Sequence, residues 1–238
     1  MIDSNSNSSG TSAQASEPSP SKALVQSLAA GLREQIQRSL EFEIGDEASS
    51  LAFIDHYLSM LREEDRPPIV ALVAAQAGAW FGELVRREFG AQWIGDGEEP
   101  RRLRILLEPA FVHFSPVDMA YEAIFSGPAE LTDPRLPPGA ELDGAYHLRK
   151  RPDEAAPSGS TEIPAEGAPP TPVQSEHDWV MERLAETPPM PEDQYYSLTG
   201  RFETLQLIVQ LLATRRSAQG AEPTLYHLND YVAELTES

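Results

Sequence analysis

Glu83 is the first residue of this chain to which a chemical role can be put. It stands in "VAAQAGAWFGEL", Val73–Leu84, where the longest uncharged run of the sequence stops. A carboxylate at the edge of an apolar helix is either buried or left at the surface. Buried without a partner, its charged form is disfavoured, and it becomes a candidate general acid or base. Arg87 follows four residues later, the spacing at which helical side chains meet. A quiet Glu83–Arg87 ion pair is therefore the competing expectation. His113, between Glu108 and Asp118 in the sequence, offers a second titratable group, with a solvent-facing strand position as its plainer reading. Arg101, Arg102 and Arg104 form a small basic cluster beside Glu98 and Glu99. Such a cluster grips a carboxylate or phosphate, or else simply solvates one face of a hairpin. Glu83, Arg87, His113, Arg102 and Arg104 together are the one polar site the sequence offers an enzyme.

Other chemistries find less support. The five histidines lie in five separate segments, without an HExxH or HxH spacing. Cysteine is absent, which removes disulfides, thiolate nucleophiles and thiolate ligands. Gly78 and Gly82 lack the Gly-Lys-Ser/Thr ending of a phosphate loop. Ser115 lacks a glycine-flanked nucleophile elbow and reads instead as a helix cap, with Pro116 at the first helical position. No metal, cofactor or catalytic residue is assigned.

The elements that must hold these residues are mostly helical. Leu24, Leu28, Leu32, Ile36 and Leu40 recur every four residues in a first helix with Ser21 as its cap. Leu51, Ile54, Leu58 and Leu61 mark a second, ended by Arg66-Pro67-Pro68. The third runs from about Ile69 to Phe89. Its uncharged run, Ile69–Gly82, is 14 residues, short of the roughly 20 a membrane span needs. Ala71, Ala75, Gly78 and Gly82 share one small-residue stripe, so a backbone is expected to approach closely there. Short strands follow at Gln92–Ile94, Leu103–Leu107, Phe111–Phe114 and Ala145–Leu148, with a helix from Ser115 to Phe125.

Residues 1–20 are Ser, Asn, Gly and Pro with little to bury, and read as a disordered tail. Residues 21–151 read as an α+β domain, 152–175 as a disordered Pro/Glu/Ala linker, and 176–238 as a C-terminal helical segment. In that segment Tyr195, Leu198, Phe202, Leu205, Val209 and Leu212 are spaced 3, 4, 3, 4, 3, as in a heptad seam. The seam either packs back on the first domain or docks on a partner. Tyr195, Phe202, Leu205, Val209 and Leu212 are the partner-binding candidates on the second reading.

The net charge of −20 argues against nucleic acid, whose phosphates it repels, and permits a basic partner. With no export signal and no spanning run, the expected compartment is the cytoplasm and no membrane insertion is expected. Only Lys22 and Lys150 are lysines, a bias that suggests a GC-rich bacterial source.

The stretch Ile69–Phe114, with "AGAWFGELVRREFG", then Trp93, then a short strand pair ending in a Pro-containing segment, resembles a pattern in uncharacterised bacterial proteins. The resemblance implies a small intracellular α+β domain of unknown function. The expected architecture is α+β and mostly helical, helices around a small antiparallel sheet, with a long C-terminal helix packed on the domain. The expected function is that of a non-enzymatic acidic adaptor, accessory or immunity-type factor that binds a protein partner. The alternatives are an enzyme built on Glu83 and His113, and a homo-oligomeric component joined through the Tyr195–Leu212 helix.

Overall fold

The computed structural model describes residues 20–128, 130, 132–137, 139–150 and 174–236. The expected tail and linker lie outside them, apart from Pro20, Gln174 and Ser175. Eight helices and four strands are described: α1 Pro20–Leu40, α2 Leu51–Ser59, α3 Pro67–Val85, β1 Ala91–Ile94, β2 Arg104–Leu107, β3 Val112–Phe114, α4 Pro116–Phe125, β4 His147–Leu148, α5 Glu176–Ala185, α6 Glu192–Tyr196, α7 Leu198–Ala218 and α8 Leu228–Thr236. The fold is α+β and mostly helical. Its antiparallel sheet runs in the order β1-β2-β3-β4.

Helix α3 is the axis. Pro67 and Pro68 start it, where their missing N–H groups cost nothing. A five-residue π turn, Arg86–Gly90, ends it, and Gly90 leaves at φ 75°. By length and composition Pro67–Gly90 is apolar enough to cross a membrane, but 72% of its apolar window is buried inside the protein. Here it is a core helix. The small stripe works as its spacing suggested. A Cβ on Gly78 would lie 2.6 Å from the Val117 Cα and 2.7 Å from the Pro116 carbonyl oxygen. The backbone of α4 therefore rests directly on α3. At Gly82 the Trp93 ring fills the same kind of gap.

The sheet has two different faces. Ile105, Leu107, Val112, Phe114 and Leu148 join the main core with α3, α4 and α7. The opposite face carries the cross-strand row Gln92, Leu106, His113 and His147. Tyr231 of α8 covers part of it, stacked on Phe111 at 4.2 Å and packed with Leu106. Its hydroxyl accepts from the Val112 N–H at 3.0 Å and lies within bonding distance of the Leu107, Ala110 and Val112 carbonyl oxygens. Leu225, Leu228 and Val232 of the same segment are exposed. The strand ends need a polar partner, which a tyrosine supplies and a leucine cannot. Tyr231→Phe should therefore take the hydroxyl from these backbone groups, leaving the Val112 N–H only its bond to the Ala110 carbonyl at 2.8 Å, and cost about 1–3 kcal/mol, read as a lower urea midpoint. An unchanged midpoint would mean that the hydroxyl contributes nothing net.

The C-terminal segment is continuous with the core, since Leu198, Phe202, Leu205, Ile208 and Leu212 belong to the same cluster as α2, α3 and α4. Asp55 of α2 holds the start of α7. Its carboxylate accepts from the Leu198 N–H at 2.8 Å, the Thr199 N–H at 3.0 Å and the Thr199 hydroxyl. This is a helix cap delivered from another helix, placed where the helix dipole favours an anion. Burial pushes the Asp55 carboxyl up, and these bonds only partly offset it. Asp55→Ala should cost on the order of 1–2 kcal/mol, measurable by chemical denaturation. No loss would mean that Ser197, which also caps α7, suffices alone.

Candidate ligand groove

The five residues of the expected polar site do not converge. Glu83 pairs with Arg86, not with Arg87. The two guanidinium bonds are 2.9 and 3.1 Å, and the Trp93 indole N–H donates to the same carboxylate at 2.7 Å. Burial alone would raise the Glu83 carboxyl. The bonds from Arg86 and Trp93 and the nearby positive charges outweigh it and hold the carboxyl below its usual range. Its stabilising contribution is thus present above the ordinary carboxylate range and lost as pH falls through the lowered one. A base poised near neutrality needs the opposite shift. Arg87 turns away to Asp46, taking its main-chain oxygen and pairing with its carboxylate at 3.6 Å. Arg86 stands three residues on, the other spacing at which helical side chains meet, and takes the carboxylate instead.

Arg102 binds Asp96 at 2.9 Å in the hairpin turn. Arg104 donates to the Arg101 and Leu103 carbonyl oxygens at 2.6 and 3.0 Å. His113 is half-buried rather than solvent-facing, stacked on His147 at 4.8 Å. Burial first, and then the neighbouring His147, push its pKa down to about 4, so it is neutral at physiological pH. Among the described residues no three His, Asp or Glu side chains form a metal-binding group.

The heptad seam of the C-terminal helix faces the protein's own core, the first of the two readings that its spacing allowed. Ser197 breaks it, leaving Tyr195 in α6, and caps α7 through the Gly200 N–H. Phe202, Leu205 and Leu212 are buried and Val209 is packed against the core. They face the chain's own interior and offer no docking surface. The buried stripe that spans α7 is Leu198, Arg201, Leu205, Ile208, Leu212 and Arg215, again spaced 3, 4, 3, 4, 3 but with an arginine at two positions. Those arginines in phase with leucines were the available signal.

Arg201 forms a buried ion pair with Glu122 of α4. Its guanidinium also donates to the Tyr195 hydroxyl at 2.8 Å and lies over the Tyr195 and Tyr196 rings. One turn before Glu122, Asp118 pairs with Arg101 at 3.3 Å. Burial pushes the carboxyls of both Asp118 and Glu122 up, and their arginines offset this only in part. The sign of their pH dependence is therefore opposite to that of Glu83. The native state holds their protons more tightly, so their contribution improves as pH falls into the raised range and worsens above it. Glu122→Gln should strand the Arg201 charge and cost about 3–5 kcal/mol. The double variant Glu122→Gln/Arg201→Met should be less damaged than the single one in urea denaturation. Additive losses would show the pair to be uncoupled.

Beside this pair lies an open groove of about 820 Å³ between α5, α7 and β4. Tyr146, Leu148 and Ile208 form its floor, Leu184 and Leu207 its walls, and Met181 and Met190 its edge. The floor is well supported. Tyr146 packs edge-on against Phe114 at 5.0 Å and donates to the Arg201 carbonyl oxygen at 2.7 Å. Met181 is 50% exposed and Met190 37%. Of the five expected docking residues only Tyr195 lines the groove, and none of Glu83, Arg87, His113, Arg102 and Arg104 does.

Comparison with protein-family models, with curated proteins and with solved structures gave no match. The groove's own chemistry therefore carries the functional argument. It is apolar, and Glu203 and His177 are its ionisable residues besides the tyrosines, with no arginine or lysine on its walls. It suits the burial of an apolar face far better than polar bond-making chemistry. Sequence reasoning missed it because its walls come from segments as distant as Ala145 and Ile208.

Proposed function

We propose that this chain is a non-enzymatic, acidic interaction protein whose partner docks in the groove between α5 and α7. The observation that carries this reading is an apolar groove edged by two half-exposed methionines. Methionine is unbranched and polarisable, and it is favoured where a surface must fit another protein. The reading is also supported by the state of the charged groups expected to do chemistry. Glu83, Arg87, Arg102 and Arg104 are each engaged by internal partners away from the groove. Self-association through the Tyr195–Leu212 helix is less favoured, because α7 would have to leave the core to expose that seam.

The test is affinity capture with the tagged full chain and with Met181→Gln/Met190→Gln. Both sites are at the surface, so the fold should survive, as circular dichroism will verify. A stoichiometric protein held by the wild type and lost by the variant supports the reading. A partner captured equally by both, or none at all, sinks it.

A further inference from the structure

We propose that the occupant of the groove is a basic amphipathic helix of a partner protein, its apolar face laid between α5 and α7. The inference rests on the groove's being the docking site, and adds what fits there. Residues of α5 and α7 line an open, mostly apolar groove, the setting in which a third helix buries a stripe of side chains. Helix α5 has 10 residues, about 15 Å at 1.5 Å per residue, which matches roughly three turns of a ligand helix.

Charge selects the kind of helix. Glu203 lines the groove. On α5, Asp178 and Glu182 directly follow the lining residues His177 and Met181 and are 66% and 55% exposed. Arg183 is the one cation of α5, and it is held between Glu182 at 3.4 Å and Glu186 at 3.0 Å. Glu192 and Asp193 open α6 just beyond Met190. A ligand helix carrying lysine or arginine beside its apolar stripe meets carboxylates around the trough, and an acidic one is repelled. The same argument disfavours two other occupants. A second copy brings another −20 charges. The chain's own residues 152–173 hold four carboxylates and no cation.

The test uses the full chain with its methionine methyls labelled with carbon-13. Three 14-residue probes are titrated: a Leu/Lys helix with an apolar stripe, a Leu/Glu twin, and the Leu/Lys composition scrambled to destroy the stripe. The proposal expects the Leu/Lys helix to shift the Met181 and Met190 methyls to saturation while Met60 and Met119 stay in place. It also expects binding at least tenfold tighter than for the scrambled peptide, weakening with salt, and loss of that preference in Met181→Gln/Met190→Gln. Equal binding of the scrambled peptide would reduce the effect to plain charge attraction and overturn the proposal. Equal binding of the Leu/Glu twin would overturn the basic assignment. Methyl shifts that appear on concentrating the protein alone would assign the groove to a second copy, and a response seen only once residues 154–172 are replaced would assign it to that segment. Each of these overturns the proposal, as does silence of both methyls to every probe. Groove-dependent capture of a partner alongside any such failure would leave the docking reading standing and the helix assignment wrong.

Discussion

Leu205→Asp should leave no folded protein. Leu205 is fully buried in the middle of α7, within the cluster that α7 shares with α2, α3 and α4. The substitution removes the leucine's packing, about 2–5 kcal/mol, and buries a carboxylate one turn from Arg201, whose guanidinium is already held by Glu122. Burying an unpaired charge costs at least several kcal/mol more. The sum is comparable to the whole stability of an ordinary domain, roughly 5–15 kcal/mol. Expression should give insoluble or unfolded material, read by circular dichroism and gel filtration. A soluble, helical monomer would show that α7 is not part of the core.

Gly78→Leu should be the most damaging change on α3, and its size follows from geometry. The atoms in the way are the Val117 Cα and N and the Pro116 carbonyl oxygen. These are backbone, and cannot rotate aside as a side chain does. Helix propensity would favour replacing a mid-helix glycine with alanine by about 1 kcal/mol, yet even Gly78→Ala should destabilise, because the first added carbon already collides. The leucine forces α3 and α4 apart at more than the usual overpacking cost of about 1–3 kcal/mol. For a chain of this size a loss of 3 kcal/mol corresponds to a melting temperature lower by roughly 6–12 °C. Gly127 serves as a control, since a Cβ there meets nothing within 4 Å, and Gly127→Ala should melt like the wild type. Equal melting of Gly78→Leu and the wild type would refute the close α3–α4 contact.

The polar site expected at Glu83 fails for an instructive reason. The residue is indeed half-sequestered, and it does hold an arginine, but the neighbour is Arg86 and the second partner is Trp93 from β1. A carboxylate with two donors and an adjacent cation is satisfied. The carboxyls that burial pushes up lie elsewhere, at Asp55, Asp118 and Glu122, each facing a partner from another element. Asp118 was legible only as a sequence neighbour of His113, and of the Glu122–Arg201 pair only an arginine in phase with leucines was visible. Their partners lie 17 and 79 residues apart in the chain, and no local spacing encodes such a meeting.

Periodicity and punctuation, by themselves, determined the α+β class, the stripe of α2, the Ser115 cap of α4 and the small face of Gly78 and Gly82, whereas Pro67 and Pro68, read as the end of the second helix, begin the third. These are properties of one helix or one turn, set by side-chain spacing and by residues with special backbone preferences. Only the tertiary structure decided that the α7 seam meets the chain's own core and not a partner, and that Arg201 and Arg215 are buried beside its leucines, because their partners come from α4 and from Gln174 and Ser175, far away in sequence. Only it decided that Tyr231, and not Leu228 or Val232, covers the sheet, because strand-end carbonyl and N–H groups demand a hydroxyl. The groove belongs to the same class. It exists where three elements distant in sequence leave apolar surface between them, a quantity that packing defines and composition does not.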